Sequence, residues 1–268
     1  MPPLSRCSVC QSLLDEEDLF CANCGTEAPH AAEVKRPEAR TSTHNFVCSG
    51  CGAAMSYDAS AGALRCPFCG STQLSARPDH REIAPEWVVP FAVSHEQALG
   101  LLRRWLGQGF WRPGDLSEQA LVVSLTPVYV PYWVFDAQTH TYWTADTSRT
   151  PAGAKSAWYP IAGERRGECR GLLVGASGAL TARETAALAP FDLDHAQAPD
   201  EIDLDNAITE QFGVERKLAR PLAVQGIELL ETRACEQLVP DKARNVKVNV
   251  LVEGLTSQPV LLPAWIMA

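Results

Sequence analysis

Eight cysteines in four Cys-x-x-Cys pairs could do chemistry together: Cys7/Cys10, Cys21/Cys24, Cys48/Cys51 and Cys66/Cys69. Each pair bends tightly enough for both sulfurs to face one ion, and two pairs complete a four-thiolate shell with no position open to water. The second set is Cys48-Ser-Gly-Cys51-Gly52 and Cys66-Pro-Phe-Cys69-Gly70, with fourteen residues between the pairs. The first is Cys7-Ser-Val-Cys10-Gln11 and Cys21-Ala-Asn-Cys24-Gly25, with ten between, so one of its knuckles lacks the glycine that lets the backbone turn back under the thiolate. Both spacings fit the zinc-ribbon pattern. They predict two structural Zn2+ ions, one per quartet. Tetrahedral sulfur also suits a single rubredoxin-like iron.

Disulfides are the rival chemistry. Behind Met1-Pro-Pro-Leu-Ser-Arg6 there is no apolar run of the signal-peptide kind, so a cytoplasmic chain with reduced thiols is expected. Closed shells are scaffolds, since a catalytic zinc keeps one coordination position free. Segments of only about 25–30 residues cannot bury a self-sufficient core, so the metal must supply their folding free energy.

The elements that would position these ligands follow from composition and pattern. The chain has 268 residues, 46% of them hydrophobic, with a formal net charge of −9, and each four-thiolate zinc site adds further negative charge. Asp15-Glu-Glu-Asp18 occupies the place where a nucleic-acid-binding ribbon would present lysines. Nucleic-acid binding is therefore the less favoured reading, and a protein partner the expected one. No run is long and apolar enough to cross a bilayer. The predicted organisation is ribbon 1 over 1–29, a flexible linker over 30–44, ribbon 2 over 45–76, a hinge over 77–86 and one larger domain over 87–268. The fold class expected is two small zinc ribbons followed by an α+β domain with a mainly antiparallel sheet.

In the larger domain, Trp87-Val-Val-Pro-Phe91 reads as a strand. Ser94 and Gln97 form a capping box for a helix with Ala98, Leu101, Leu102, Trp105 and Leu106 on one face. Ala120–Ser124 and Val128–Asp136 read as strands, with a hairpin through Tyr142-Trp-Thr144, and Gly171–Gly175 as a buried strand. Thr181 and Glu184 cap a helix that closes before Pro190, a weaker helix lies near Asp205–Phe212, and a longer one starts at Pro221 and runs to about Leu238. Arg244–Glu253 alternates as a half-buried strand. Val128-Tyr-Val-Pro-Tyr-Trp-Val134 and Val260-Leu-Leu-Pro-Ala-Trp-Ile266 share one pattern, which suggests duplicated halves; proline inside a strand predicts an edge, a strand start or a bulge. The second copy stops at Ala268 in mid-strand, so the natural protein is expected to continue.

The chain resembles a group of bacterial zinc-ribbon proteins of uncharacterised function, named for a transcription-factor-IIB-type zinc ribbon or as primosomal protein N′-like. The resemblance rests on Phe46-Val-Cys-Ser-Gly-Cys-Gly52, Leu64-Arg-Cys-Pro-Phe-Cys-Gly70, Val128–Asp136 and Leu261-Leu-Pro-Ala-Trp265, and covers about residues 45–268. The first quartet looks like the double-zinc-ribbon-type module that prefixes many bacterial proteins, with Phe20-Cys-Ala-Asn-Cys-Gly25 as its second knuckle. The resemblance implies no catalytic activity. It implies that relatives run on past the second Pro-x-Trp strand, that some carry a membrane-anchoring helix, and that peripheral membrane association through a partner is open.

Enzyme signatures are absent from the sequence: there is no phosphate-binding G-x-x-x-x-G-K-[ST], and Gly171-Leu-Leu-Val-Gly-Ala-Ser-Gly178 matches neither a dinucleotide fingerprint nor a nucleophile elbow. Asp136, His140 and Asp146 could gather on one hairpin, and Asp192, Asp194 and His195 lie in an acidic loop. For both groups solvated polar residues are the expectation. Cys169 and Cys235 read as small buried residues. The aromatics between Tyr129 and Trp143 read as core, with one face as an alternative docking groove. The function expected is a zinc-binding, non-enzymatic adaptor or scaffold acting through protein–protein interaction; the alternatives are a nucleic-acid-binding ribbon protein and an enzyme with a site in the α+β domain.

Overall fold

A computed structural model describes residues 5–29, 39–42, 45–56, 65–77, 80–106, 125–149, 152–153, 156–204, 208–240 and 242–267. Their elements, in chain order, are β1 (Ser5–Arg6), β2 (Leu13–Leu14), β3 (Ala39–Ser42), β4 (Asn45–Cys48), β5 (Ala54–Ser56), β6 (Leu74–Ala76), β7 (His80–Ile83), β8 (Trp87–Val88), α1 (His95–Leu106), β9 (Leu125–Thr147), β10 (Tyr159–Gly175), α2 (Ala182–Leu188), β11 (Ile208–Glu210), α3 (Arg216–Glu236) and β12 (Ala243–Met267). The chain divides into two units, neither a single stretch: 1–36 with 134–174 and 216–257, and 37–133 with 175–215 and 258–268. Strands β9 and β12 are long enough to contribute residues to each.

The main sheet is mixed, and this refines the expected mainly antiparallel one. Its order is β6-β4-β5-β11-β9-β12-β8, with β10 also paired to β9. Ribbon 2 supplies β4, β5 and β6, paired antiparallel, and β5 pairs antiparallel with β11. Two pairs are parallel, β11 with β9 and β8 with β12. Parallel neighbours need a crossover between them. Here each short strand pairs with the long strand of the other half of the chain.

That exchange extends the Pro-x-Trp echo into a structural repeat. Ile208 and Thr209 pair with Val128 and Tyr129, while Trp87 and Val88 pair with Val260 and Leu261. In each case the pairing stops two residues before the proline, Pro131 or Pro263. Beyond it a tryptophan N–H donates to a carbonyl: Trp133 to Val214 (2.8 Å) and Trp265 to Val93 (3.1 Å). Val214 lies five residues after Thr209 and Val93 five after Val88. The same tryptophans meet Phe212 and Phe91, each with ring centroids 5.4 Å apart. The prolines are thus accommodated by short parallel neighbours that end before reaching them. Of the three alternatives of edge, strand start and bulge, the edge does not apply to β9, which lies inside the sheet order between β11 and β12.

Local signals fared well. Ser94 and Gln97 make both bonds of the capping box (3.2 and 2.8 Å), and Thr181 with Glu184 does so at α2. Four sequence expectations are revised. The face of α1 is not wholly buried, for Leu101 and Trp105 are more than half exposed. No turn interrupts β9 at Tyr142–Thr144, since the strand continues to Thr147. Residues 208–210 are a strand held between Ser56 and Tyr129 on its two neighbours, where a weak helix was predicted. Helix α3 starts at Arg216, so Pro221 lies inside it and removes one intrahelical bond instead of opening the helix. The Ala120–Ser124 strand lies outside the described residues, as does most of the 30–44 stretch, whose residues 39–42 pair antiparallel with β7.

In the first unit, α3 turns Ala219, Ala223, Ile227, Glu231 and Cys235 inward at a spacing of four residues. Gly226 lets it approach β10, because a Cβ there would stand 3.2 Å from the Leu172 side chain. In the second unit the core is built from Val88, Tyr129, Trp133, Val260 and Leu261, with Tyr132 donating its hydroxyl to the Thr185 carbonyl (2.8 Å). Most of the aromatic cluster is therefore core: Tyr129, Tyr132, Trp133 and Phe135 are buried, and Tyr142 is exposed.

Candidate metal centres

Each knuckle is built by the same backbone device. The N–H of the residue after the second cysteine donates to the carbonyl of the first: Gln11 to Cys7 (3.0 Å), Gly25 to Cys21 (2.8 Å), Gly52 to Cys48 (2.9 Å) and Gly70 to Cys66 (2.8 Å). The first cysteine's own N–H donates to the carbonyl of the next residue on, namely Ser12, Thr26, Ala53 and Ser71. Closing this loop requires the left-handed region, and Gln11, Gly25, Gly52 and Gly70 have φ of 61°, 74°, 80° and 72°. Gln11 thus adopts the conformation that glycine supplies in the other three, at a steric cost that glycine escapes.

The eight sulfurs gather into the two expected quartets, each with ligand atoms all within 4.8 Å of one another. The sulfurs of Cys7 and Cys24 are 3.5 Å apart, as are those of Cys10 and Cys21. Cys48 and Cys69 stand at 3.5 Å, and Cys51 and Cys66 at 3.6 Å. A tetrahedron with metal–sulfur bonds of about 2.3 Å has edges of about 3.8 Å, so both quartets fit one tetrahedral ion with little adjustment. In both, the first cysteine of each pair is buried, and the last of the four is exposed. Gly50 N–H donates to Cys48 Sγ (3.3 Å), and the Ser12 hydroxyl lies 3.3 Å from Cys10 Sγ; that hydroxyl holds the Cys10 thiol below its ordinary range. Burial pushes the Cys66 thiol up. A bound cation would hold all four sulfurs as thiolates.

The surroundings of the two centres differ. Around the second, Ala53 and Met55 are buried with Phe46, Phe68, Leu74, Ala179 and Ile208 packed against them. Around the first the apolar core amounts to Leu14 and Ala28 beside the cysteines themselves. The first ribbon gains its remaining contacts through its acidic loop. Asp15 Oδ1 accepts the Leu255 N–H (2.5 Å), and Asp15 Oδ2 is paired with Arg220. Glu16 accepts the N–H and the hydroxyl of Ser257 (3.1 and 2.5 Å), while Glu17 lies 3.2 Å from Arg216. The carboxylates read in the sequence as a bar to phosphate are consumed within the unit. Sequence reasoning missed Arg216 and Arg220, which stand one turn apart on α3 and carried no pattern of their own.

The other candidate groups are held by local partners. Asp136 Oδ1 accepts the Gly171 N–H (2.7 Å). His140 lies between Glu164 (2.9 Å) and the Tyr142 hydroxyl (3.1 Å), and Asp146 accepts from Asn245 (2.7 Å). Asp192 caps a short 3-10 turn through the Asp194 N–H (3.0 Å) and also meets His195 (2.9 Å). Cys169 and Cys235 have thiols pushed up by burial. A further buried acid was missed: Glu210 Oε1 accepts from the Ser177 hydroxyl (2.8 Å) and the N–H groups of Gly178 (2.9 Å) and Ala179 (3.0 Å). Its Oε2 is buried without a hydrogen-bond partner among the described residues.

Comparison with known proteins places little beside this chain. It is similar to the uncharacterized protein YdjG of Bacillus subtilis (strain 168), 29% identical over 154 residues that take in 39% of this chain and 45% of that protein. The match thus spans less than half of the relative's length. No family model matches the sequence, and no solved structure matches it. Among the described residues no helix is long and apolar enough to cross a membrane.

Proposed function

We propose that the chain is a zinc-binding, non-enzymatic adaptor that acts through protein–protein interaction, with one structural Zn2+ in each quartet. The observation that carries this reading is the closed ligand geometry: four sulfurs per site at 3.5–3.6 Å along the paired edges leave no place for water or substrate on the ion. Cys7, Cys10, Cys21 and Cys24 would hold the first ion, and Cys48, Cys51, Cys66 and Cys69 the second. Thiolate ligands favour zinc over hard cations. The ion supplies folding free energy and a rigid knuckle surface, and the protein's own residues supply recognition.

The test is affinity capture of partners by the intact protein before and after zinc chelation, with metal content measured alongside. Two zinc ions per chain and a partner set lost on chelation are expected. Partners unchanged by metal removal would overturn the role of the ribbons in recruitment.

A further inference from the structure

The four-residue loop Asp15–Asp18 meets a cradle made almost wholly of donors: the guanidinium groups of Arg216 and Arg220, the N–H groups of Leu255 and Ser257, and the Ser257 hydroxyl. All lie in the first unit. Arg220 Nη1 is buried there with no hydrogen-bond partner among the described residues, so the cradle offers donors beyond those the loop uses. The loop closes on itself without these contacts, because the Asp15 N–H donates to Asp18 Oδ2 (2.9 Å) and the Asp18 N–H to the Asp15 carbonyl (3.2 Å). Loop and cradle are thus joined by charge-assisted bonds and by one backbone bond, in which the Glu16 N–H donates to the Leu255 carbonyl (3.4 Å). Burial pushes the Glu16 carboxyl up even with Ser257 and Arg216 beside it, so seating the loop carries a desolvation cost that offsets part of the attraction.

We propose that Arg216, Arg220 and the Leu255–Ser257 backbone form a receptor for acidic peptide segments, closed in cis by the first ribbon's Asp15–Asp18 loop. An acidic segment of a protein partner enters by displacing that loop, and the freed ribbon becomes available as a second contact surface. This rests on the adaptor reading and names the partner's chemistry. The partner segment should carry adjacent carboxylates, because Asp15 and Glu16 each take one backbone N–H while sharing the two arginines.

The test uses the full metal-loaded chain and a fluorescent peptide of sequence Ser-Leu-Leu-Asp-Glu-Glu-Asp-Leu-Phe, that of residues 12–20. The unaltered chain should bind it weakly. An Asp15→Asn/Glu16→Gln variant should bind at least about tenfold tighter at low salt, with the gain lost at high salt. Adding Arg216→Gln and Arg220→Gln should abolish binding, and a peptide with Asn and Gln in place of its acids should not bind. If the double variant loses metal, Glu16→Gln alone replaces it, for Asp15 and its closure with Asp18 then stay intact. Equal affinity for both chains, binding that survives loss of the arginines, or a preference for an oligonucleotide of equal charge would overturn the proposal. Should chelation abolish partner capture while the peptide fails to bind, the receptor falls and the adaptor reading stands. Peptide binding with partner capture unchanged by chelation leaves the receptor standing and overturns the role of the ribbons in recruitment.

Discussion

Asp15, on the loop between the two knuckles of the first ribbon, is paired with Arg220 on α3, and its other oxygen takes the Leu255 N–H at 2.5 Å. Two residues 205 positions apart are thereby joined at a site where both side chains are mostly buried, 18% and 25% exposed. Removing one partner of such a pair leaves the other charged, desolvated and unmatched, which costs more than the pair itself is worth. Asp15→Ala should lower unfolding free energy by about 2 kcal/mol, and Arg220→Ala by a similar amount. The double variant should cost clearly less than the sum. Denaturant unfolding of the four chains gives the coupling energy, and strict additivity would show that the two residues do not depend on each other.

Gln11 makes a second prediction, one of opposite sign. It takes φ 61° where the other three knuckles have glycine. Left-handed backbone costs a non-glycine residue about 1–2 kcal/mol, while glycine loses about 0.4–1 kcal/mol more chain freedom on folding. Gln11→Gly should therefore tighten metal binding at the first quartet by about two- to fivefold, read by competition with a chromophoric chelator. Gly52→Ala, at φ 80°, should weaken the second quartet instead. A looser first site in the Gln11→Gly chain would mean that the Arg6 contact to the Gln11 carbonyl (3.0 Å) depends on the glutamine backbone geometry.

These two sites also mark how far the sequence could be read. Which cysteines can meet follows from covalent spacing, so all eight gather into the two expected quartets, and the capping boxes at Ser94 and Thr181 are equally local. The Arg216–Arg220 cradle depends on a loop about two hundred residues earlier in the chain, and nothing within its own helix announces it. Residues 208–210 are a strand only because Ser56 and Tyr129 flank them, so a local pattern suggested a helix. One further signal was present: Phe91-Ala-Val93 and Phe212-Gly-Val214 precede helices at the same distance, and aligning them would have extended the Pro-x-Trp echo to whole halves.

Glu210 makes stability depend on pH. Burial pushes its carboxyl up to about 7 from an ordinary 4.5, against the Ser177, Ala179 and Gly178 bonds that pull it down. With the folded value above the unfolded one, the native state holds the proton more tightly. The associated stability is complete below about pH 4.5 and is lost as pH rises through about 7. The span corresponds to roughly 3 kcal/mol at most. Glu210→Gln keeps an acceptor for all three donors and removes the titration. Melting measured from pH 6 to pH 8.5 should show the unaltered chain losing stability relative to the variant as pH rises. A constant difference between the two chains across that range would show that Glu210 does not titrate there.

The repeat predicts unequal effects from equivalent tryptophans. Trp133 and Trp265 each donate an indole N–H to a carbonyl five residues after the last parallel-paired residue of a short strand, and each meets a phenylalanine ring at 5.4 Å. Trp133 is fully buried, whereas Trp265 is only partly so. Trp133→Phe leaves the Val214 carbonyl without its donor and opens a void in a closed core, a loss of about 2–3 kcal/mol. At Trp265→Phe water can reach the Val93 carbonyl and fill part of the space, so about 1 kcal/mol is expected. The same substitution at equivalent positions of the two repeats thus isolates what burial contributes, and denaturant midpoints shifted equally by both would mean that the two tryptophans are interchangeable in energy as well as in geometry.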